Sequence, residues 1–153
     1  MKKSILLSFL FVGLFAFASC NGTSGNKQAA ASETAQTDKA QSGTIHLTRA
    51  EFLTKVADYE KNPNEWKYLG DKPAIIDFYA DWCAPCRMVG PIVSEIANER
   101  RDVKVGKINV DEQPELAAQF QVMSIPMLAV IKNGKLKNQV VGYRSKKQIE
   151  EML

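Results

Sequence analysis

Two cysteines separated by two residues lie where a strand-like run meets a helical pattern, and this pair constrains the chain more than any other feature. The motif Trp-Cys-Ala-Pro-Cys at 82–86 follows strand-forming residues at 74–80 and precedes an amphipathic stretch from Arg87 onward. We therefore predict a strand-to-helix turn that carries Cys83 and Cys86. Unpaired amides and the helix dipole at such a turn favour a thiolate, so the pair can cycle between a dithiol and a disulfide.

Metal binding and a purely structural role explain the cysteine pair less well. A tetrahedral zinc site needs four ligands, and an iron–sulfur cluster usually needs four thiolates. The chain offers Cys20, Cys83, Cys86 and a single histidine, His46, and Cys20 has another explanation. A structural disulfide that closes so small a loop would contribute only about 2 kcal/mol. We therefore predict a redox role for the pair and no metal site.

Residues 1–19 are interpreted as an export signal. Lys2 and Lys3 precede an apolar stretch at 5–18, which is shorter than the roughly 20 residues of a membrane-spanning helix. Residues 17–20 resemble a bacterial lipoprotein box with Phe17 in place of the usual aliphatic residue, whereas residues 16–18 form an Ala-x-Ala site for ordinary secretion. We predict lipidation at Cys20, contact with the membrane through that lipid, and a location in the bacterial periplasm or cell envelope.

Residues 20–43 are predicted to form a flexible tether. From Asn21 to Gly43 the chain has no aromatic residue and no Leu, Ile, Val or Met, so it cannot bury enough apolar surface to fold. A flexible segment of this length has a root-mean-square reach of roughly 25 Å. It either lets an anchored domain reach substrates in the solution near the membrane, or it is a disordered leader whose length has no function.

Residues 44–153 provide one hydrophobic core, which predicts a single domain. The whole chain has a formal charge of +3, and removing residues 1–19 deletes Lys2 and Lys3 but no acid, which leaves +1. So weak a field argues against nucleic acid as a partner. We expect a monomer.

Strand and helix patterns alternate along this domain. Pro91 is expected to kink the second helix, and Asn133-Gly134 is a hairpin turn. The order β-α-β-α-β-α-β-β-α predicts an α/β fold, a central mixed β-sheet flanked by helices on both faces. The predicted strands are 44–47, 74–80, 103–110, 127–132 and 136–141, and the predicted helices are 48–59, 84–100, 112–120 and a short one capped by Ser145.

Several landmarks in a fixed order make the domain resemble the thioredoxin family. The resemblance covers the chain from about Thr44 and implies the thioredoxin fold. It also implies a thiol-disulfide oxidoreductase that acts on substrate proteins with disulfides, takes electrons from an unidentified electron donor and needs no cofactor. The landmarks are Asp77, the Trp-Cys-Ala-Pro-Cys turn, Pro91, Lys107 in 107–111, Ile125-Pro126, Lys132-Asn133-Gly134 and Gly142.

The two cysteines are assigned different roles from their positions. Cys83, at the expected exposed start of the turn, is predicted to be the nucleophile that forms a mixed disulfide. Cys86, within the first helical turn, is predicted to be more shielded and to resolve that mixed disulfide. Together they form the predicted redox disulfide Cys83–Cys86.

Asp77 is a carboxylate in an apolar strand, six residues before Cys83. Burial would raise its pKa and make it a proton acceptor for Cys86, and the alternative is an exposed or capping aspartate at a strand edge. The resemblance favours burial, because the family has a buried aspartate here. Lys107 matches the family's lysine near that aspartate and is expected either to tune its charge or to face solvent.

The Ile125-Pro126 segment resembles the family's cis-proline loop, which lies against the disulfide and offers backbone to an extended substrate. The pattern X-Pro alone would favour a trans bond. Around this loop we predict a shallow apolar patch suited to flexible proteins, with core packing as the alternative for Met123. The patch residues are Trp82, Ala84, Pro85, Met123, Met127 and Gly142.

The sequence also departs from the family pattern. Ala84 stands where glycine is usual, and Met127 stands where threonine is commoner. Residues 62–72 look longer than the usual connection and are interpreted as a tolerated surface insertion, with a partner-binding loop as the alternative. His46 is expected to be a surface residue away from the motif.

Three functions fit these features. The leading prediction is a cell-envelope oxidoreductase that reduces or exchanges disulfides in exported proteins. A net oxidant or isomerase of the same fold is the second. Oxidants of this superfamily often carry histidine between the cysteines, and Ala84-Pro85 lacks it. The third is a peptide-binding or chaperone module in which the thiols are incidental.

Overall fold

The computed structural model describes residues 43–153, so the predicted export signal, Cys20 and all of the predicted tether except Gly43 lie outside the described residues. The elements follow the predicted order β-α-β-α-β-α-β-β-α. Their bounds are β1 Thr44–His46, α1 Arg49–Lys55, β2 Ala74–Tyr79, α2 Ala84–Glu99, β3 Lys104–Asn109, α3 Pro114–Gln119, β4 Met127–Lys132, β5 Lys135–Val141 and α4 Lys146–Glu150.

The strands form one five-stranded mixed sheet in the order β1-β3-β2-β4-β5. Strand β3 pairs in parallel with both β1 and β2, and β4 is antiparallel to β2 and β5. The order places β2 in the centre of the sheet, where β3 and β4 pair with it on either side. The turn that carries the cysteines follows this central strand. The predicted mixed sheet is confirmed.

Side chains alternate across the sheet and form two cores. Ile76 and Phe78 of β2 face the side that also holds Phe52 of α1 and Leu116 of α3. Ile75 faces the opposite side, where it joins a cluster with Val89, Val93 and Ile96 of α2 and Ile149 of α4. The helices therefore cover both faces of the sheet, with α2 and α4 on one face and α1 and α3 on the other.

Two helices are shorter than predicted. Helix α1 ends at Lys55 rather than at residue 59, because the chain after Val56 leaves the helix to form an isolated antiparallel bridge between Ala57 and Tyr68. Helix α3 begins at Pro114 rather than at Glu112, since the Gln113 amide donates to the Asn109 carbonyl in a preceding turn. The predicted strand ends at 47, 80, 103 and 110 also extend one residue too far, and β5 begins one residue earlier than predicted, at Lys135.

The insertion at 62–72 packs onto the domain through its aromatic residues. The Trp66 ring contacts Phe120 edge-on, with ring centroids 6.0 Å apart, and the Tyr68 hydroxyl donates to the Lys72 carbonyl at 2.6 Å.

Helix α2 runs through Pro91 without interruption, although proline removes one amide donor. Within residues 43–153 no helix has the length and apolar character needed to cross a membrane.

Candidate active site

The cysteine pair lies at the junction of β2 and α2. Cys83 is the N-cap of α2, and its amide donates to the Ala80 carbonyl at 3.2 Å, which closes the turn. The two cysteines form a disulfide with Cα atoms 5.3 Å apart. The Cys86 amide donates to Cys83 Sγ at 3.2 Å. A backbone donor at the helix N-terminus thus points at the sulfur on which a thiolate would develop after reduction.

Both cysteines are buried in the disulfide form. Cys83 is 3% exposed and Cys86 is 5% exposed, and they cluster with Ala80. The predicted exposed start of the turn is therefore wrong, and so is the predicted greater shielding of Cys86. The reason is tertiary: Tyr79, Val110 and Ile125 pack against the cluster from the neighbouring strand end and loops, which the order of residues along the turn does not reveal.

Asp77 lies on the face of the sheet that α2 covers. It is 1% exposed, and neither carboxylate oxygen has a hydrogen-bond partner among the described residues. Burial raises the pKa of this carboxyl from 3.8 to about 6, and the charge of Lys107 partly opposes that rise. Such a carboxyl gives up or accepts a proton near neutral pH, which is the range in which thiols exchange with disulfides.

Lys107 pairs with Asp77 across the β2–β3 ladder. Its side chain is half-buried, and its Nζ lies 4.5 Å from the centroid of the Tyr79 ring. Lys107 thus does not extend freely into solvent, because a cation over an aromatic face is held by the ring quadrupole.

Trp82 precedes the first cysteine and is 68% exposed. Its indole Nε1 donates to the Asp111 carboxylate at 2.8 Å, and the Asp111 amide in turn donates to the side chain of Asn109 at 3.0 Å. The ring is therefore fixed in place although most of its surface faces solvent. Ala84 and Pro85, which open α2 beside it, are also exposed.

The Ile125–Pro126 peptide bond is cis. Ile125 packs against the cysteine cluster, and the Pro126 carbonyl accepts from the Gly142 amide at 2.8 Å. Gly142 has a φ of 86°, a conformation that favours glycine, so its identity follows from the backbone at this loop. The loop residues predicted around the disulfide are thus brought together beside it.

The two methionines of the predicted patch differ. Met123 is 92% exposed, which excludes core packing for its side chain. Met127 is buried in the core that faces α1 and α3, so placing it in the patch was wrong. Met127 begins β4, and the period of two along that strand directs its side chain into the core.

The sequence analysis assigned no role to Tyr79 or to Asp111, and it did not predict the contact between Tyr79 and His46 of the edge strand β1. His46 is exposed as expected, and its Nδ1 lies 3.2 Å from the Tyr79 hydroxyl. Strand alternation alone places Tyr79 on the same face as Asp77. The contacts to His46 and Trp82 need the sheet register and the packing of loops, which no sequence motif reports.

Chemically, the site combines a reducible disulfide, a helix N-terminus, a buried carboxyl and an exposed apolar rim. A disulfide with these neighbours accepts two electrons by thiolate attack and returns them the same way. The electrons are carried by the two sulfurs themselves.

Comparison with known proteins agrees with this geometry. A family model described as Thioredoxin matches residues 43–153. The chain is 42% identical over 111 residues to the thioredoxin of Mycobacterium tuberculosis strain H37Rv, which covers 72% of this chain and 86% of that protein. It is 37% identical over 111 residues to the thioredoxin of Borreliella burgdorferi, which covers 71% of this chain and 93% of that protein.

A solved structure gives the same result. A mutant thioredoxin from Halobacterium salinarum NRC-1 superposes with a TM-score of 0.58 at 28% identity and covers 71% of this chain and 86% of that chain. The order of elements, the Cys-x-x-Cys disulfide at the start of α2 and these likenesses point the same way. The chain therefore belongs to the thioredoxin family of thiol-disulfide oxidoreductases, with Cys83 and Cys86 as its Cys-x-x-Cys pair.

Proposed function

We propose that this protein reduces or exchanges disulfides of exported proteins in the bacterial cell envelope. The observation that carries the proposal is the Cys83–Cys86 disulfide at the N-terminus of α2, with the Cys86 amide directed at Cys83 Sγ. A donor at this position stabilises the thiolate of Cys83 over that of Cys86. Cys83 is therefore the attacking sulfur and Cys86 the resolving sulfur.

The reaction begins with the reduced pair. The Cys83 thiolate attacks one sulfur of a substrate disulfide, which forms a Cys83–substrate bond and releases the other substrate sulfur as a thiolate. Cys86 then loses its proton to the Asp77 carboxylate and attacks Cys83 Sγ, which releases the second substrate thiolate. Two electrons pass to the substrate, and a reduced dithiol of a donor protein restores the pair by the same steps in reverse.

Substrate docking is proposed for the exposed rim of the site. Trp82 is held by Asp111, Met123 extends into solvent, and the loop of Ile125 and Pro126 lies against the disulfide. An extended, flexible polypeptide can lay its backbone along this loop while apolar side chains contact the rim. Gly142, whose amide donates to the Pro126 carbonyl, supports this loop.

The envelope location rests on the first residues of the sequence. A basic start at Lys2 and Lys3, an apolar stretch at 5–18 and the lipoprotein-like box that ends in Cys20 support export and lipidation. The polar segment before Thr44 supports a tether between the lipid and the domain. We propose that the domain acts as a monomer at the end of this tether.

Replacement of the attacking sulfur tests the proposal. In a disulfide-reductase assay with insulin as the substrate and dithiothreitol as the reductant, we expect Cys83→Ser to lose turnover, because no thiolate starts the exchange. We expect Cys86→Ser to lose turnover as well. When the reduced variant is incubated with insulin without dithiothreitol, it should accumulate a mixed disulfide with substrate, which mass spectrometry detects.

The control is Cys20→Ser, which leaves the dithiol intact and should turn over like the unaltered chain. Reductase turnover that survives in Cys83→Ser would contradict the assignment. Peptide binding that is unchanged in a Cys83→Ser, Cys86→Ser double variant while turnover is lost would show that docking and chemistry are separate properties of the site.

A further inference from the structure

A row of side chains crosses the sheet beside the disulfide. In the parallel ladders His46 of β1 pairs with Lys107 of β3, and Lys107 pairs with Asp77 of β2. On the other side Asp77 pairs with Leu128 of β4, which is apolar and buried. The row therefore runs from an exposed histidine at the sheet edge to a buried carboxyl at its centre, with Lys107 between them.

Tyr79 lies two residues after Asp77 on the same face and touches several members of this site. Its ring lies 4.5 Å from Lys107 Nζ, and its hydroxyl lies 3.2 Å from His46 Nδ1, where the imidazole tautomer decides which atom donates. The two rings meet edge-on with centroids 6.0 Å apart. Tyr79 also packs against the cluster that contains Cys83 and Cys86.

Helix α2 bounds the lysine from the other side. A Cβ atom built at Gly90 would lie 3.5 Å from Lys107 Nζ, so the ammonium faces α2 at the position of this glycine. The aromatic ring and the helix therefore limit where the ammonium can move. A lysine on an open strand samples many rotamers, and this confinement removes part of that freedom.

The position of Lys107 matters because Asp77 has little else to compensate its charge. Neither Asp77 oxygen has a hydrogen-bond partner among the described residues, and Lys107 is the charged group that opposes the effect of burial on its pKa. Burial raises the pKa of Tyr79 to about 12, with Asp81, Glu112 and Asp77 adding to the rise, so its hydroxyl stays protonated. The titratable groups around the row are thus His46, Lys107, Tyr79, Asp81, Glu112 and Cys86.

We infer that Tyr79 is a positioning residue of the dithiol site, whose ring, anchored through its hydroxyl by His46, holds the Lys107 ammonium where it stabilises the charged form of Asp77. The inference deepens the proposed function and rests on it, because Asp77 enters the reaction as the proton acceptor of Cys86. The groups that carry the proton remain Cys86 and Asp77. Tyr79 and His46 act through Lys107 and touch no substrate.

Titration of the Asp77 carboxyl tests this inference on the full chain in its disulfide form, with carbon-13 NMR as the readout. We expect Tyr79→Leu to raise the titration midpoint by about 1 pH unit, because the lysine is no longer confined where its charge acts on the carboxylate. We expect Lys107→Met to raise it as well. In the Lys107→Met background, Tyr79→Leu should then add no further upward shift.

Two outcomes would overturn the inference. One is a Tyr79→Leu midpoint equal to that of the unaltered chain. The other is an upward shift by Tyr79→Leu that is just as large in the Lys107→Met background, since Tyr79 would then act on Asp77 without the lysine. The matched controls are Tyr59→Leu, a half-buried tyrosine packed in the core of the opposite face, and Lys104→Met, an exposed lysine of β3.

Milder variants keep the test decisive if Tyr79→Leu does not fold. Tyr79→Phe retains the ring and loses the hydroxyl, and His46→Gln removes the imidazole. We expect both to raise the Asp77 midpoint by a similar amount, smaller than that of Tyr79→Leu, and to be non-additive with each other. Unchanged midpoints in both variants would overturn the inference, because the contact between hydroxyl and imidazole is part of it.

The titration tests the positioning role of Tyr79 separately from the proposed reaction. The midpoint is read in the disulfide form and needs no turnover, so it stands even if Cys83→Ser retains reductase activity. In the reduced chain the pH profile of turnover supplies a second readout, and we expect its acidic limb to move to higher pH in Tyr79→Leu. A turnover profile that stays in place while the midpoint moves would overturn the link between this positioning and catalysis.

Discussion

Asp77 shows how a single residue sets both a functional property and a cost in stability. The carboxyl is buried with no hydrogen-bond partner among the described residues, and a buried charge without partners is unfavourable. Burial raises its pKa to about 6, so the folded chain binds a proton more tightly than the unfolded chain, whose value is near 3.8. The tighter proton binding stabilises the folded chain fully below about pH 4, and this stabilisation is lost as the pH rises through about 6.

Removal of the charge should therefore stabilise the protein at neutral and alkaline pH. A rise of about 2 pKa units corresponds to about 3 kcal/mol, so we expect Asp77→Asn to gain up to about 3 kcal/mol of unfolding free energy at pH 8. The gain should shrink as the pH falls and vanish near pH 4. Urea unfolding at a series of pH values measures it.

The exposed carboxylate Asp71 offers the matched control, and Asp71→Asn should give no such pH-dependent gain. A stability difference between Asp77→Asn and the unaltered chain that stays constant from pH 4 to pH 8 would contradict a raised pKa of the Asp77 carboxyl in the folded chain. Asp77→Asn should also lower reductase turnover, because the amide cannot accept the proton of Cys86.

Helix α2 is the element that converts the cysteine pair into a redox site. Its N-terminus presents the Cys86 amide to Cys83 Sγ, and its first turn contains Pro85, whose missing amide donor is not needed there. The side chains between the cysteines, Ala84 and Pro85, add neither charge nor hydrogen-bond donors. Of the motif, the helix N-terminus is therefore the feature that would stabilise the reduced thiolate.

This composition predicts a reducing disulfide. We expect a reduction potential near the reference value for thioredoxin, about −270 mV, rather than near the value for a strong oxidant, about −120 mV. Equilibration of the full chain with defined glutathione buffers measures it. Pro85→His should move the potential towards the oxidising end, because an imidazolium beside Cys83 stabilises the thiolate.

Pro114 provides the matched control for that variant. It also stands in the first turn of a helix, α3, away from the cysteines, so Pro114→His should leave the potential unchanged. A potential of the unaltered chain near −120 mV would contradict a reductase and favour the net oxidant or isomerase of the same fold.

At the scale of the whole molecule, the domain and the first residues of the chain carry separate information. The domain supplies the chemistry, whereas the proposed lipid at Cys20 determines where the chemistry takes place. We expect the membrane-extracted protein to begin at Cys20 and to carry added acyl mass, which electrospray mass spectrometry of the intact chain detects. Cys20→Ser should move the protein from the membrane fraction to the soluble fraction without altering turnover of the dithiol.

Ordinary secretion predicts a different product. Cleavage after Ala18 would give a mature chain that begins at Ser19 with no added acyl mass, and this result would contradict the anchor. The position of the dithiol relative to the membrane would then depend on diffusion rather than on the length of the tether.

The order of elements, the mixed sheet and the cysteine turn were predictable from local patterns. Strand runs, the helical pattern after Arg87 and the turn at Asn133-Gly134 each depend on residues close in sequence, and local preference and tertiary packing agree there. The predictions failed where long-range contacts prevail. Helix α1 ends early because Ala57 pairs with Tyr68, and Met127 is buried because its side chain faces the core beneath α1 and α3.

The candidate site divides in the same way. The sequence by itself determined the cysteine pair, since Cys83 and Cys86 are recognisable from their type and spacing, whereas Asp77 was favoured as a buried carboxyl only by the resemblance to the family. Only the tertiary structure decided their surroundings: the burial of both cysteines, the hydrogen bond from Trp82 to Asp111, and the contacts of Tyr79 with His46 and Lys107. The physical reason is that burial, charge compensation and hydrogen bonding depend on atoms from strands far apart in sequence, which the fold alone brings together.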